Sequence, residues 1–185
     1  TLMRSSAASD VYKRQVLGGV IMFDIYGEME TAAEINDVAR SLKEEGEKEN
    51  LDKLCAENGI DAELAQMFWD GEIDFVTDQL MAAVGKLDME VRKEKGQNGY
   101  LESIANFLKV EAEKDQDLAI AIRKKGKKLT DAYKAAENEA RKMKKSGSNC
   151  VAMRDKDVFE IVGRYYKEGC LLYTSDAADD RISVD

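Results

Sequence analysis

Proline is absent from all 185 residues of this chain. Nothing therefore forces a helix to break through a lost N–H and a ring clash. Apolar residues also recur at three- and four-residue steps along most of the sequence, the spacing of one helix face. Together these features predict an all-α, mainly helical fold, with at most one short extended segment near residues 150–153.

The helix signals are local and can be read in order. Thr31-Ala-Ala-Glu34 is a capping-box pattern, followed by Ile35, Val38, Ala39 and Leu42 at helical spacing and stopped by Gly46. A short helix with Leu51, Leu54 and Cys55 on one face ends at Asn58-Gly59, where glycine can take the left-handed cap conformation. Asp61 caps a third, carrying Leu64, Ala65 and Phe68, which ends at Asp70-Gly71. Glu72 to Lys95 then reads as one long helix through Ile73, Val76, Leu80, Val84, Leu87 and Val91, with Gly85 inside it at a cost of roughly 1 kcal/mol against alanine. Gly96-Gln-Asn-Gly99 reads as a linker. Beyond it, Tyr100 to Ala112 predicts an amphipathic helix, and Leu118, Ala121 and Ile122 a shorter one ending near Gly126. Thr130 is expected to cap a helix with Tyr133, Ala136, Ala140 and Met143 inside. Asp155 is expected to cap a last one with Val158, Phe159, Val162, Tyr165 and Tyr166.

Charge divides the chain at that linker. Val16–Gly99 holds 8 basic and 20 acidic residues, whereas Tyr100–Gly169 holds 16 and 12. This asymmetry predicts two small helical modules, 22–99 acidic and 100–169 basic, facing different partners or each other. The ends read differently. Ser5–Gln15 resembles one translated frame of a transposon-based sequencing adapter, and Cys170–Asp180 a frame of its complementary strand. Residues 1–15 and 170–185 are therefore expected to be non-native, 16–21 a translated leader and Met22 the start.

Reactive chemistry finds little footing. Histidine, the usual proton carrier near neutral pH, is absent. There is no nucleophile elbow, phosphate loop, dinucleotide fingerprint or zinc spacing. Asp70, Glu72, Asp74 and Asp78 cluster where a solvated helix start favours negative charge, rather than in contrasting environments suited to acid–base work. A non-enzymatic protein is expected, with no catalytic, cofactor-binding or metal-ligating residue. Cys55 and Cys150 lie far apart and point to free thiols. No apolar run reaches the ~20 residues of a membrane helix, so a cytoplasmic protein without membrane contact is expected.

The candidate interaction surface is charged and aromatic. Arg123, Lys124, Lys125, Lys127 and Lys128 form one basic run, and Arg141, Lys142, Lys144 and Lys145 another. Cations at helix ends offset carbonyl dipoles, and the same residues can form a surface for phosphates or an acidic partner. Both readings stay open. The runs lack interleaved aromatics, so base stacking is not indicated. The acidic module offers a different possibility, since a dense negative surface can occupy a protein channel built for nucleic acid. Phe68, Trp69 and Phe75 read as core, and Trp69 and Tyr166 as the exposed anchors of an interface.

Several stretches of the basic module carry a family likeness. These are Leu101 to Leu108, Glu113 to Lys128, Ala132-Tyr-Lys-Ala-Ala-Glu137, Asn149-Cys-Val-Ala-Met153, Asp155-Lys-Asp-Val-Phe-Glu-Ile-Val162 and Arg164-Tyr-Tyr166. Over Tyr100–Gly169 the chain resembles the PcfK-like family. Arg164 stands where members often carry histidine, so no role of that histidine carries over. In the acidic module, Glu57-Asn-Gly-Ile-Asp61 and Trp69-Asp-Gly71 resemble a helical module of similar elements. The resemblance implies an accessory protein of conjugative plasmids, integrative elements or phages, in a family that includes an inhibitor of the type II CRISPR effector nuclease.

Three functions follow as expectations. The first is a mobile-element protein, in its sharpest form an anti-CRISPR that binds the effector nuclease and blocks nucleic-acid engagement. The second is a nucleic-acid-binding accessory in plasmid transfer or replication, contacting phosphates through its lysines. The third is a structural or oligomerising helical protein.

Overall fold

The computed structural model describes residues 22–94, 98–143 and 153–171. Among these the chain is all-α: α1 (Ala32–Glu44), α2 (Lys48–Glu57), α3 (Ala62–Asp70), α4 (Gln79–Lys93), α5 (Asn98–Lys114), α6 (Gln116–Arg123), α7 (Leu129–Lys142) and α8 (Asp155–Leu171), with no strand among the described residues. Residues 150–152 of the expected extended piece and the Gly96-Gln97 start of the linker lie outside them, as do residues 1–21. Helix α8 runs on to Leu171, past the boundary expected at Gly169.

Local capping explains most helix starts. The Thr31 hydroxyl accepts from Glu34 N–H at 3.1 Å, and Glu34 reaches back to Glu30 N–H at 2.9 Å. Asp61 accepts from Glu63 N–H, and Asp115 from Asp117 and Leu118 N–H.

The long helix expected over 72–95 starts seven residues later, at Gln79. Gly71, at φ +81°, closes α3 in the left-handed conformation. Residues 72–78 then form a loop gripped by one side chain of α1. Asn36 Oδ1 accepts from Val76 and Thr77 N–H at 3.0 and 3.3 Å, while its Nδ2 donates to Thr77 O at 2.8 Å. Asp78 then caps α4, accepting from Met81 N–H at 2.7 Å. Tertiary hydrogen bonds and a better cap outweigh the apolar periodicity of Ile73 and Val76.

Two apolar cores result, but they do not divide at the 96–99 linker. The first joins α1, α2 and α3 around Ile35, Leu51, Leu54, Ala65 and Phe68. The second joins α5 to α8 around Leu101, Leu108, Ile122, Leu129, Val162 and Tyr166. Helix α4 belongs to both. Ala82 packs into the first core, and Ala83 and Leu87 into the second. Most of its packing is against α6 and α5, so the acidic module's last helix is built into the basic module's core.

Gly85 has a packing role as well as a propensity cost. A Cβ there would lie 2.6 Å from Asn58 O, and one on Gly59 would lie 2.5 Å from Gly85 O. The α2 C-terminal turn therefore crosses α4 backbone against backbone.

Helix α7 starts at Leu129 rather than after a Thr130 cap. Its cap residue, Lys128, makes no side-chain bond. Instead Leu129 N–H donates to Glu90 Oε2 of α4 at 2.7 Å, and Lys128 N–H to the Tyr165 hydroxyl of α8 at 3.3 Å. At α8 the expected cap, Asp155, is itself the first helical residue. Arg154 holds the cap position, its carbonyl accepting from Val158 N–H.

Candidate functional site

The first basic run is in part a structural clamp. Arg123 ends α6 and is 0% exposed. Its Nη2 donates to Met29 O and to Asn58 Oδ1, the latter at 3.0 Å, and the guanidinium lies 5.4 Å from the Phe23 ring centre. Burial pushes its pKa down to about 10, against the pull of Glu28, Glu34 and Glu90. Lys86 of α4, also buried, donates to Glu28 Oε1 and to Lys124 O. Burial lowers its pKa too. The other oxygen of Glu28 accepts from Gly126 N–H at 3.2 Å, and Glu30 accepts from Lys125 N–H at 3.1 Å. Lys127 Nζ donates to Tyr165 O and lies 4.3 Å from the Tyr165 ring centre. An acidic strap, residues 28–30, thus holds the α6–α7 turn against α4.

The candidate surface is corrected accordingly. Arg123 and Tyr166 are both 0% exposed and cannot be contact residues on the free surface. Arg123 is consumed by the clamp, and Tyr166 packs in the second core edge-on to Tyr165. Trp69 is half-buried against the first core. Lys125 and Lys128 are exposed, and Lys124 and Lys127 are half-buried and engaged in the fold. Arg141 and Lys142 are exposed but pair with Glu137 and Glu139 one turn earlier. Lys144 and Lys145 lie outside the described residues. The two runs also sit at opposite ends of the 14-residue α7, about 20 Å apart at 1.5 Å per residue, so they do not merge into one patch.

An accessible apolar feature lies on the acidic half. Two adjoining cavities, of about 330 and 290 Å³, share Leu64 of α3 and Met81 of α4. Ile73, Phe75 and Val76 of the 72–78 loop line one, and Ile60, Leu80 and Val84 line the other. Phe75 is 53% exposed and Met81 39%. Asp74 borders the first cavity, Asp61 and Asp88 the second, and among the described residues no lysine or arginine lines either. Asp88 is paired with Lys109 of α5.

Sequence reasoning misses this groove because it places Phe75 in the core beside Phe68 and Trp69. Only Phe68 of the three is fully buried. Asp78, three residues before Met81, is the cap signal that frees residues 72–77 from the helix and exposes Phe75.

A third hollow, about 230 Å³, is lined by Phe23, Glu28, Glu90, Glu94, Lys93 and Lys128 among others. Burial raises the Glu90 pKa, opposed by the Leu129 N–H it accepts. Among the described residues no group of three or more His, Cys, Asp or Glu is placed to hold a metal ion, and no helix is long and apolar enough to cross a membrane. Cys55 has a free thiol buried in the first core, and burial pushes its pKa up to about 12.

No protein-family model, curated protein or solved structure matches this chain.

Proposed function

We propose that this protein is a non-enzymatic binding protein that engages a basic protein surface through its acidic half. The observation that carries this reading is the inversion of the expected surface. Of the 123–128 run the Arg123 and Lys127 side chains are drawn into the fold, whereas the acidic half presents an open apolar groove with Phe75 and Met81 at its surface. Apolar anchors give contact area, and surrounding charge steers the encounter and selects the partner.

The PcfK-like resemblance supports a finer proposal. The protein serves a mobile element as an anti-CRISPR, its acidic half occupying the positive nucleic-acid channel of the type II effector nuclease. Such a channel attracts a dense negative surface by the same field that attracts a phosphate backbone. The test mixes the full chain with guide-loaded nuclease and target DNA. Binding with reduced cleavage is expected. Absence of binding with undiminished cleavage overturns the nuclease as partner.

The nucleic-acid-binding alternative has weaker geometric support, because its two basic runs are separated by the length of α7. Its signature is a gel shift whose affinity falls steeply with salt.

A further inference from the structure

The groove between α3 and α4 has a chemistry that specifies its occupant. We infer that it receives a helical segment of a partner protein that carries large apolar residues on one face and lysine or arginine beside them. The inference rests on the reading of this chain as a protein-binding protein, and it names the surface and the partner's chemistry.

Three observations converge. The first is shape: two cavities meet at Leu64 and Met81, so the surface offers consecutive apolar recesses rather than one isolated pit. An amphipathic helix docks in this way, laying anchors one or two turns apart into a groove. The second is exposure. Phe75 stands 53% exposed on a loop held by Asn36, so a large aromatic is presented to solvent by a fixed backbone instead of packing inward. Such anchors lose little freedom on binding.

The third observation is charge. Asp61 and Asp74 border the recesses, and among the described residues no cation lines either; Asp88, the third carboxylate, is paired with Lys109. The whole chain carries a net charge of −9. A second copy docked groove to groove would bring carboxylates against carboxylates, and an acidic or phosphate-bearing ligand would meet the same repulsion. A basic segment is favoured by the field and, once docked, relieves the mutual repulsion of the rim.

The test is unbiased selection. A display library of random peptides is panned on the full-length wild-type protein, with F75A/M81A as the counter-selection surface. Both replaced side chains are partly exposed, so the double variant keeps its fold, which circular dichroism checks. Enriched clones are expected to carry net positive charge and large apolar residues at helical spacing. They should bind the double variant about tenfold or more weakly. They should also bind D61N/D74N more weakly at low salt, with the difference shrinking as salt is added. The amide introduced by D61N still accepts at the start of α3, so the loss reports charge and not folding.

Clones that bind both proteins equally, show no basic bias or fail to enrich overturn the inference. Self-association abolished by F75A/M81A, with no enriched clone, assigns the groove to a second copy and overturns it too. The same double variant separates this inference from the proposed nuclease target. If the nuclease binds wild type and variant equally, the nuclease reading stands and the groove is not its site. If basic clones bind through the groove and the nuclease does not bind at all, the groove stands and the nuclease reading fails.

Discussion

Glu28 accepts a hydrogen bond from the buried ammonium of Lys86, 58 residues further along the chain, and thereby ties the acidic strap to the helix shared by both cores. Its second oxygen holds Gly126 N–H of the α6–α7 turn. One carboxylate thus links the start of the described chain, α4 and the basic turn.

Glu28→Ala is expected to cost about 3 kcal/mol in urea unfolding, because it removes the carboxylate partner of Lys86 in a site that is 1% exposed and leaves its ammonium only the Lys124 carbonyl. Lys86→Met should cost less, since it removes the buried charge and leaves Glu28 its bond to Gly126 and some access to water. Equal losses from the two would contradict the clamp.

Glu90 makes stability respond to acid in a defined direction. Its pKa is raised above the ordinary 4.5 by burial. Between 4.5 and that raised value the folded protein holds more of the proton than the unfolded chain does, so this contribution grows as pH falls through the window and is lost as pH rises through the folded pKa. Glu90→Gln, which keeps an acceptor for Leu129 N–H, should flatten the pH dependence of the urea midpoint there. Asp115 has a lowered pKa, so its opposite trend lies below 3.8 and does not enter that window.

Glycine at 85 and at 163 should respond oppositely to alanine. Gly85→Ala is expected to destabilise by about 2 kcal/mol despite better helix propensity, because its Cβ meets the Asn58 carbonyl. Gly163→Ala in α8 meets nothing within 4 Å and should stabilise by about 0.5–1 kcal/mol. Thermal unfolding of the two variants checks the sign of each.

Asn36→Ala should cost about 2 kcal/mol and loosen the groove wall, since it removes the partners of Val76 and Thr77. Hydrogen exchange is expected to accelerate at those two amides more than at the amides of α8.

The helices are legible in the sequence wherever a local signal and the apolar period agree. Thr31 and Asp61 cap by their own side chains, and the stops at Gly46, Gly59, Gly71 and Gly126 all adopt positive φ. Reading fails where distant residues decide. Asn36 of α1 holds the 72–78 loop out of α4, and Glu90 of α4 replaces the missing cap of α7. No window of sequence contains both partners. The site suffers for the same reason. Arg123 looks like the head of an exposed basic run, but its fate is set by Met29 and Asn58, 94 and 65 residues away. Tyr166 sits at helical spacing from Val162, which indicates its face but not that the face is wholly covered. Phe75 is lost with the loop that carries it.

Hydrogen exchange of the full chain, alone and with guide-loaded type II effector nuclease, reads out which face of the protein a partner covers. Slowed exchange is expected over residues 60–64 and 73–84, which frame the groove, with residues 123–142 unchanged. Slowing confined to residues 123–142 would contradict binding through the acidic half, and no change anywhere in the chain would contradict the nuclease as partner.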